Sequence, residues 1–197
     1  MSSYLALHDR RLSGGVPARK GLYIVNADAT TPLAMVFSRI NSAAKAGGKL
    51  HSLFILCHGY AGENTRARVS MDAGGMGLQI GREDVLHSNV HLWTAIKNQA
   101  QNIVVYSCAA SDTQPGNEGT TADGRYLMGA LAIHTNANVY AADKIQWYDT
   151  YNGLANGRFD FGEWEGQLWS FPPSGNPPTR ADAPPVEFSD VMAGTAP

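Results

Sequence analysis

The sequence predicts an α/β domain with a mostly parallel sheet, helices on both faces and an added β-hairpin. Three observations carry that expectation. Short aliphatic runs, LYIV, LFIL and IVVY, recur along the chain and suit buried strands. Segments with apolar residues at helical spacing separate them, which favours parallel strands joined by crossovers. Each run also stops on glycine or polar residues rather than fading out. At 197 residues the chain fits one domain, large enough to bury a core without disulfide support.

The elements follow in order. Residues 1–20 are polar and glycine-bearing and read as an irregular arm ahead of an α/β domain at 21–171. Gly21 to Thr30 holds a first strand. Pro32 then suits a first helical position, and Leu33, Val36, Phe37, Ile40 and Ala44 repeat on one helical face until Gly47 and Gly48 end it. Leu53 to Cys57 is a second strand. Arg66 to Ile80 alternates about a glycine pair and reads as the hairpin. Val90, Trp93, Ile96 and Lys97 mark a short helix leading into the strand Ile103 to Cys108. A loop rich in Thr, Gly, Asp and Pro runs from Ala110 to about Thr121, either shaping a cleft or lying free on the surface. Tyr126, Leu127, Ala130, Leu131 and His134 predict another helix, and Asn138 to Asp143 a third core strand. The aromatic stretch to Phe171 reads as antiparallel strands closing the sheet, its rings serving as core or as a binding platform. Seven of the ten prolines follow Phe171, so 172–197 is expected to be a flexible, extended tail.

Composition excludes several function classes. A net charge of −2 without a basic cluster gives no footprint for nucleic acid. No apolar run approaches the ~18 residues of a membrane span, and the opening MSSYLALHDRR lacks the apolar core of a signal peptide. Two cysteines are too few for a disulfide scaffold, which favours the reducing cytoplasm, although leaderless export leaves no readable mark. His87 and His91, four apart, lack a convincing third ligand, so no metal site is expected. Gly47-Gly48-Lys49 is no phosphate loop, because that pattern needs a glycine where Ala43 stands.

The chemistry concentrates at two strand ends. LFILCHGYAG places His58 and Gly59 just past one core strand, and IVVYSCAAS places Cys108 at the end of another. Parallel strands deliver such residues to one carboxyl edge, where α/β sites form. An imidazole beside a thiol activates it or protonates a leaving group. Gly59 lets its backbone N–H approach a substrate, and with the Cys108 N–H it can bind a tetrahedral oxyanion. Cys57 alternates to the opposite face and reads as packing.

His58 precedes Cys108 by fifty positions, close to the caspase interval. Strand-His-Gly followed by strand-Ser-Cys resembles the caspase–hemoglobinase superfamily of cysteine peptidases (clan CD), most of all its bacterial caspase-like branch. The resemblance covers roughly residues 21–148. It implies a caspase-like three-layer sandwich with a six-stranded sheet in which these two strands are neighbours. It further implies a cysteine endopeptidase with a His58–Cys108 dyad and oxyanion donors at Gly59 and Cys108. The substrate would be a protein or peptide. No cofactor is implied for the chemistry, although some relatives use calcium for activation, and an activating partner is left open.

Two departures bear on specificity. Tyr106-Ser107-Cys108-Ala109-Ala110 stands where caspases carry Gln-Ala-Cys-Arg-Gly. Tyr106 occupies the place where relatives that cut after Arg or Lys often carry an acid, leaving Asp28, Asp112 and Asp143 as candidate pocket residues. The alternative to an enzyme is a non-catalytic caspase-like module that binds a protein or peptide at the same edge.

Overall fold

The structure, a computed structural model, describes residues 3–60, 74–150 and 159–197. Its centre is a seven-stranded mixed sheet ordered β2-β1-β3-β4-β5-β8-β9. The strands are β1 (Tyr4–Asp9), β2 (Leu22–Ala27), β3 (Leu50–Leu56), β4 (Ala100–Tyr106), β5 (Asn138–Ala142), β8 (Leu168–Phe171) and β9 (Thr179–Ala181). A separate antiparallel pair joins β6 (Asp149–Thr150) to β7 (Phe159–Asp160). The first five strands of the main sheet run parallel, β8 returns antiparallel to β5, and β9 is antiparallel to β8.

One register ties the centre together. Leu5 pairs with Leu53, Leu53 with Ile103 and Ile103 with Val139, so these aliphatics share a face. Helix α1 (Leu33–Gly47), helix α2 (Gly124–Thr135) and a 3-10 helix at Val90–Ile96 cover that face. Helix α1 has no side-chain cap of its own; the Glu83 carboxylate accepts the Leu33 N–H at 2.9 Å, a cap supplied from fifty residues away. Asp123 caps α2 locally by accepting the Tyr126 N–H.

Tyr4, Ala6, Phe54, Leu56, Val104 and Tyr106 form the other face. The short helix α3 (Phe188–Ala193), the rings of Phe159 and Phe161, and Leu12 cover it. Helices therefore lie on both faces, but unequally.

Both termini depart from the sequence expectation. The segment expected as an irregular arm contains β1, which lies inside the sheet between β2 and β3. Five of its six residues pair on both sides, and the strand is buried throughout. The segment expected as a flexible tail supplies β9 and α3, and Phe188 and Met192 are almost wholly buried. Proline spacing hides this, because the prolines fall between these elements rather than within them. The Tyr4 hydroxyl even donates to the Pro197 carbonyl at 2.6 Å. The expected hairpin falls largely on residues 61–73, outside the described residues. In its remainder, Leu78 bridges antiparallel to both Gly59 and Val85. Of the aromatic stretch, Phe159, Phe161 and Phe171 are core, Trp147 is exposed, and Tyr151 lies outside the described residues. No described helix is long and apolar enough to cross a membrane.

Topology marks one place on the sheet edge. The steps β2 to β3, β3 to β4 and β4 to β5 all run one way across the sheet, whereas β1 to β2 runs the other. Right-handed crossovers then send the β1–β2 connection to the opposite face, where Leu12 is buried and Val16 packs. Strand order reverses between β1 and β3. The carboxyl ends on either side of such a reversal are the usual place for a site in an open α/β sheet.

Candidate active site

His58 and Cys108 follow neighbouring parallel strands at that edge. The last paired residues of β3 and β4 are Leu56 and Tyr106, and each candidate lies two positions beyond its strand's last pair. Adjacent strands are about 4.8 Å apart, so the two side chains leave neighbouring strands at the same level. The Cys57 N–H donates to the Tyr106 carbonyl at 3.4 Å, extending the ladder toward them. Alternation turns both residues to the face of Leu56 and Tyr106. Cys57 turns the other way into the helix-side core at 1% exposure, where burial pushes its thiol far up.

Gly59 must be a glycine here. A Cβ at this position would stand 2.2 Å from the Cys108 carbonyl oxygen and 2.9 Å from Ser107 Oγ. The loop after β3 thus lies directly on the backbone that carries Cys108. Burial pushes the half-buried Cys108 thiol up, and the backbone of Gln146, of Gly59 and of Cys108 itself pulls it partly back. The thiol also lies 3.8 Å from the Gln146 carbonyl oxygen. Among the described residues, neither the Gly59 nor the Cys108 amide donates to a backbone carbonyl. Ala109, the next residue, is held at φ +46 and buried, a left-handed conformation unusual for a residue with a side chain. The chain therefore turns sharply at the thiol. The Ala109 N–H donates to the Lys144 carbonyl and its carbonyl accepts the Gly75 N–H, which fixes the turn on both sides.

The ring of His58 is oriented by the β1 end. Its Nε2 lies 3.2 Å from the Arg11 carbonyl oxygen. A carbonyl only accepts, so in the neutral ring Nε2 carries the proton and Nδ1 is the basic nitrogen. This contact comes from a segment that sequence reading assigns to an irregular arm. Arg11 is itself clamped: Nε and Nη2 meet the two Asp9 carboxylate oxygens at 2.8 and 2.9 Å, and Nη2 also reaches Asp84 and the Gly81 carbonyl. Burial would push the fully buried Asp9 carboxyl up, but the Arg11 side chain and the Gly81 and Arg11 N–H groups outweigh it and hold the carboxyl below its ordinary value. None of Asp9, Arg11 or Asp84 is a sequence-level candidate. The DRR run was the available signal, and its placement in β1's exit was not legible.

The candidate pocket residues scatter. Tyr106 is core, 4% exposed, stacked on Trp164 and accepting the Phe188 N–H at its hydroxyl. Asp28 follows edge strand β2, two strands from β3; the hydroxyl and N–H of Thr30 and the hydroxyl of Thr31 hold its exposed carboxyl down to about 2. Asp112 is buried and accepts from the Gly74 N–H and the Gln114 amide. Asp143 accepts from the Gln167 N–H and the Trp169 indole. All three aspartates are engaged in local structure. His87 meets the Asp123 carbonyl at 2.9 Å, and among the described residues no group of three metal-ligating side chains converges. A groove of about 520 Å³ between α2 and residues 171–178 is lined by neither His58 nor Cys108.

No family model, curated protein or solved structure matches the chain.

Proposed function

We propose that this protein is a cysteine endopeptidase of caspase-like fold, with His58 and Cys108 as its dyad. One observation carries the reading. The Arg11 carbonyl fixes the His58 ring through Nε2, leaving Nδ1 as a base at the level of the Cys108 thiol on the adjacent strand. In the reaction, the Cys108 sulfur bonds to the peptide carbonyl carbon as its proton passes to His58. The N–H groups of Gly59 and Cys108 receive the resulting oxyanion. Collapse breaks the C–N bond, and His58 gives the proton to the departing amine. Water then attacks the thioester with His58 as base, which releases the acid and restores the thiol. Both cysteines are free, in keeping with a reducing, cytoplasmic setting.

A second reading is favoured by a different observation. Burial holds the Cys108 thiol up, which suits a module that binds a peptide at this edge without cleaving it.

The test is intact-mass labelling with an electrophilic peptidyl probe at neutral pH, on wild type, His58→Ala and Cys108→Ala. Labelling confined to Cys108 that collapses in His58→Ala is the result expected, with Cys57 silent until the chain is denatured. Sluggish labelling that ignores His58→Ala would sink the peptidase reading in favour of the binding module.

A further inference from the structure

We infer that Asp9, Arg11 and Asp84 are positioning residues that set the tautomer of His58, acting as one clamp between the β1 and β3 exits. The inference rests on His58 being the base of the dyad. Its physical core is a chain of contacts that closes around the ring. The Arg11 carbonyl holds His58 Nε2, so wherever the Arg11 backbone goes the imidazole must follow. That backbone is fixed by its own side chain. The guanidinium forks onto Asp9, which also accepts the Arg11 N–H at 3.1 Å and the Gly81 N–H at 2.8 Å. Asp9 thus has four donors on two oxygens and no exposure, an arrangement that gives a carboxylate one geometry only.

Asp84 closes the other side. One oxygen takes Arg11 Nη2 at 2.9 Å, and the second takes the Tyr60 hydroxyl at 2.5 Å. Tyr60 follows His58-Gly59 directly, so the clamp touches the β3 exit on both sides of Gly59, at His58 and at Tyr60. Asp84 itself sits at φ +54, a left-handed backbone for a residue with a side chain. Asn89 holds that turn by donating to the carbonyls of Glu83 and Asp84. The neighbouring turn is secured as well, because buried His8 meets the Leu12 carbonyl at 2.9 Å. A surface ion pair would need none of this enclosure. Arg11 bridges two carboxylates, Asp9 and Asp84, seventy-five positions apart in the chain, beside the point where strand order reverses.

The experiment is NMR of protein labelled with ¹⁵N-histidine, which distinguishes a ring protonated at Nε2 from one protonated at Nδ1. The His58 signals are assigned by their loss in His58→Gln. Wild type is expected to show the Nε2–H tautomer. Arg11→Ala and Asp84→Ala leave the Arg11 carbonyl in the chain but loosen it, and are expected to give a tautomer mixture. Cys108 alkylation should then slow about tenfold, part of the range that base catalysis covers, with Arg11→Lys intermediate. A single Nε2–H tautomer in both alanine variants would overturn the clamp. If His58→Gln leaves Cys108 reactivity unchanged, the peptidase reading fails by itself, and the tautomer shift still decides whether the clamp sets the ring. Asp84→Ala, which leaves the fork of Arg11 onto Asp9 in place, serves if Arg11→Ala does not fold.

Discussion

Replacing Gly59 with alanine tests the link between fold and site most directly. The added Cβ would stand 2.2 Å from the Cys108 carbonyl oxygen. Carbon seldom comes closer than about 3.3 Å to such an oxygen, so the two loops must part by about 1 Å. Neither side yields cheaply, because one is backbone and Ser107 Oγ waits at 2.9 Å. Overpacking of this kind costs about 1–3 kcal/mol. For a domain of this size that corresponds to a Tm lower by about 2–12 °C. On the proposed peptidase reading, Cys108 reactivity should suffer more than stability, since a 1 Å misplacement of reacting groups costs on the order of a hundredfold. Gly129→Ala is the matched control. It makes the same chemical change inside α2, where the nearest atom is Phe171 Cδ1 at 4.0 Å. Better helix propensity should raise its stability by up to about 1 kcal/mol. Calorimetry and Cys108 labelling would be run on both variants. A Gly59→Ala protein that melts with wild type and labels at the wild-type rate would refute the close approach of the two loops.

Two further outcomes follow from the packing. Asp9 and Asp123 are both pushed up by burial, yet their hydrogen-bond donors outweigh it and hold them below the ordinary carboxyl value, so their ionised forms stabilise the fold. That stability is fully present above the unfolded carboxyl value and is lost as pH falls through the lower folded one. Urea titrations should thus show stability level from pH 7 to 5 and declining below about pH 4, with the decline shallower in Asp9→Asn; an equally steep decline there would contradict the assignment. Removal of residues 186–197 would strip Phe188, Val191 and Met192 from the second core. At about 1.5–3 kcal/mol per buried side chain, the loss should exceed about 4 kcal/mol and expose dye-binding surface over Phe54 and Tyr106, whereas a truncated chain melting like wild type would show that the tail adds nothing.

Much of the fold was legible because local signals agreed. The helical stripe from Leu33 to Ala44 and the aliphatic runs of β3, β4 and β5 stand where periodicity and glycine punctuation place them. Placing His58 and Cys108 at one carboxyl edge needed only that their strands be parallel neighbours, which they are. β1 was missed because YLALHD is short and its neighbours are polar and glycine-bearing. A strand buried on both faces has no alternation to betray it, and six residues make a faint run. The α3 segment was missed because composition averages over residues, whereas three apolar side chains suffice to dock a helix.

The sequence by itself determined the chemistry on offer: a thiol, an imidazole and a glycine at strand ends, in an order that only a parallel sheet brings together. Tertiary structure decided how the imidazole is held. The Arg11 carbonyl, the buried Asp9 and the distant Asp84 converge because β1 enters the sheet beside β3 and the connection order reverses there. That convergence is a property of strand order and register. It depends on which strands become neighbours, which no local pattern along the chain encodes.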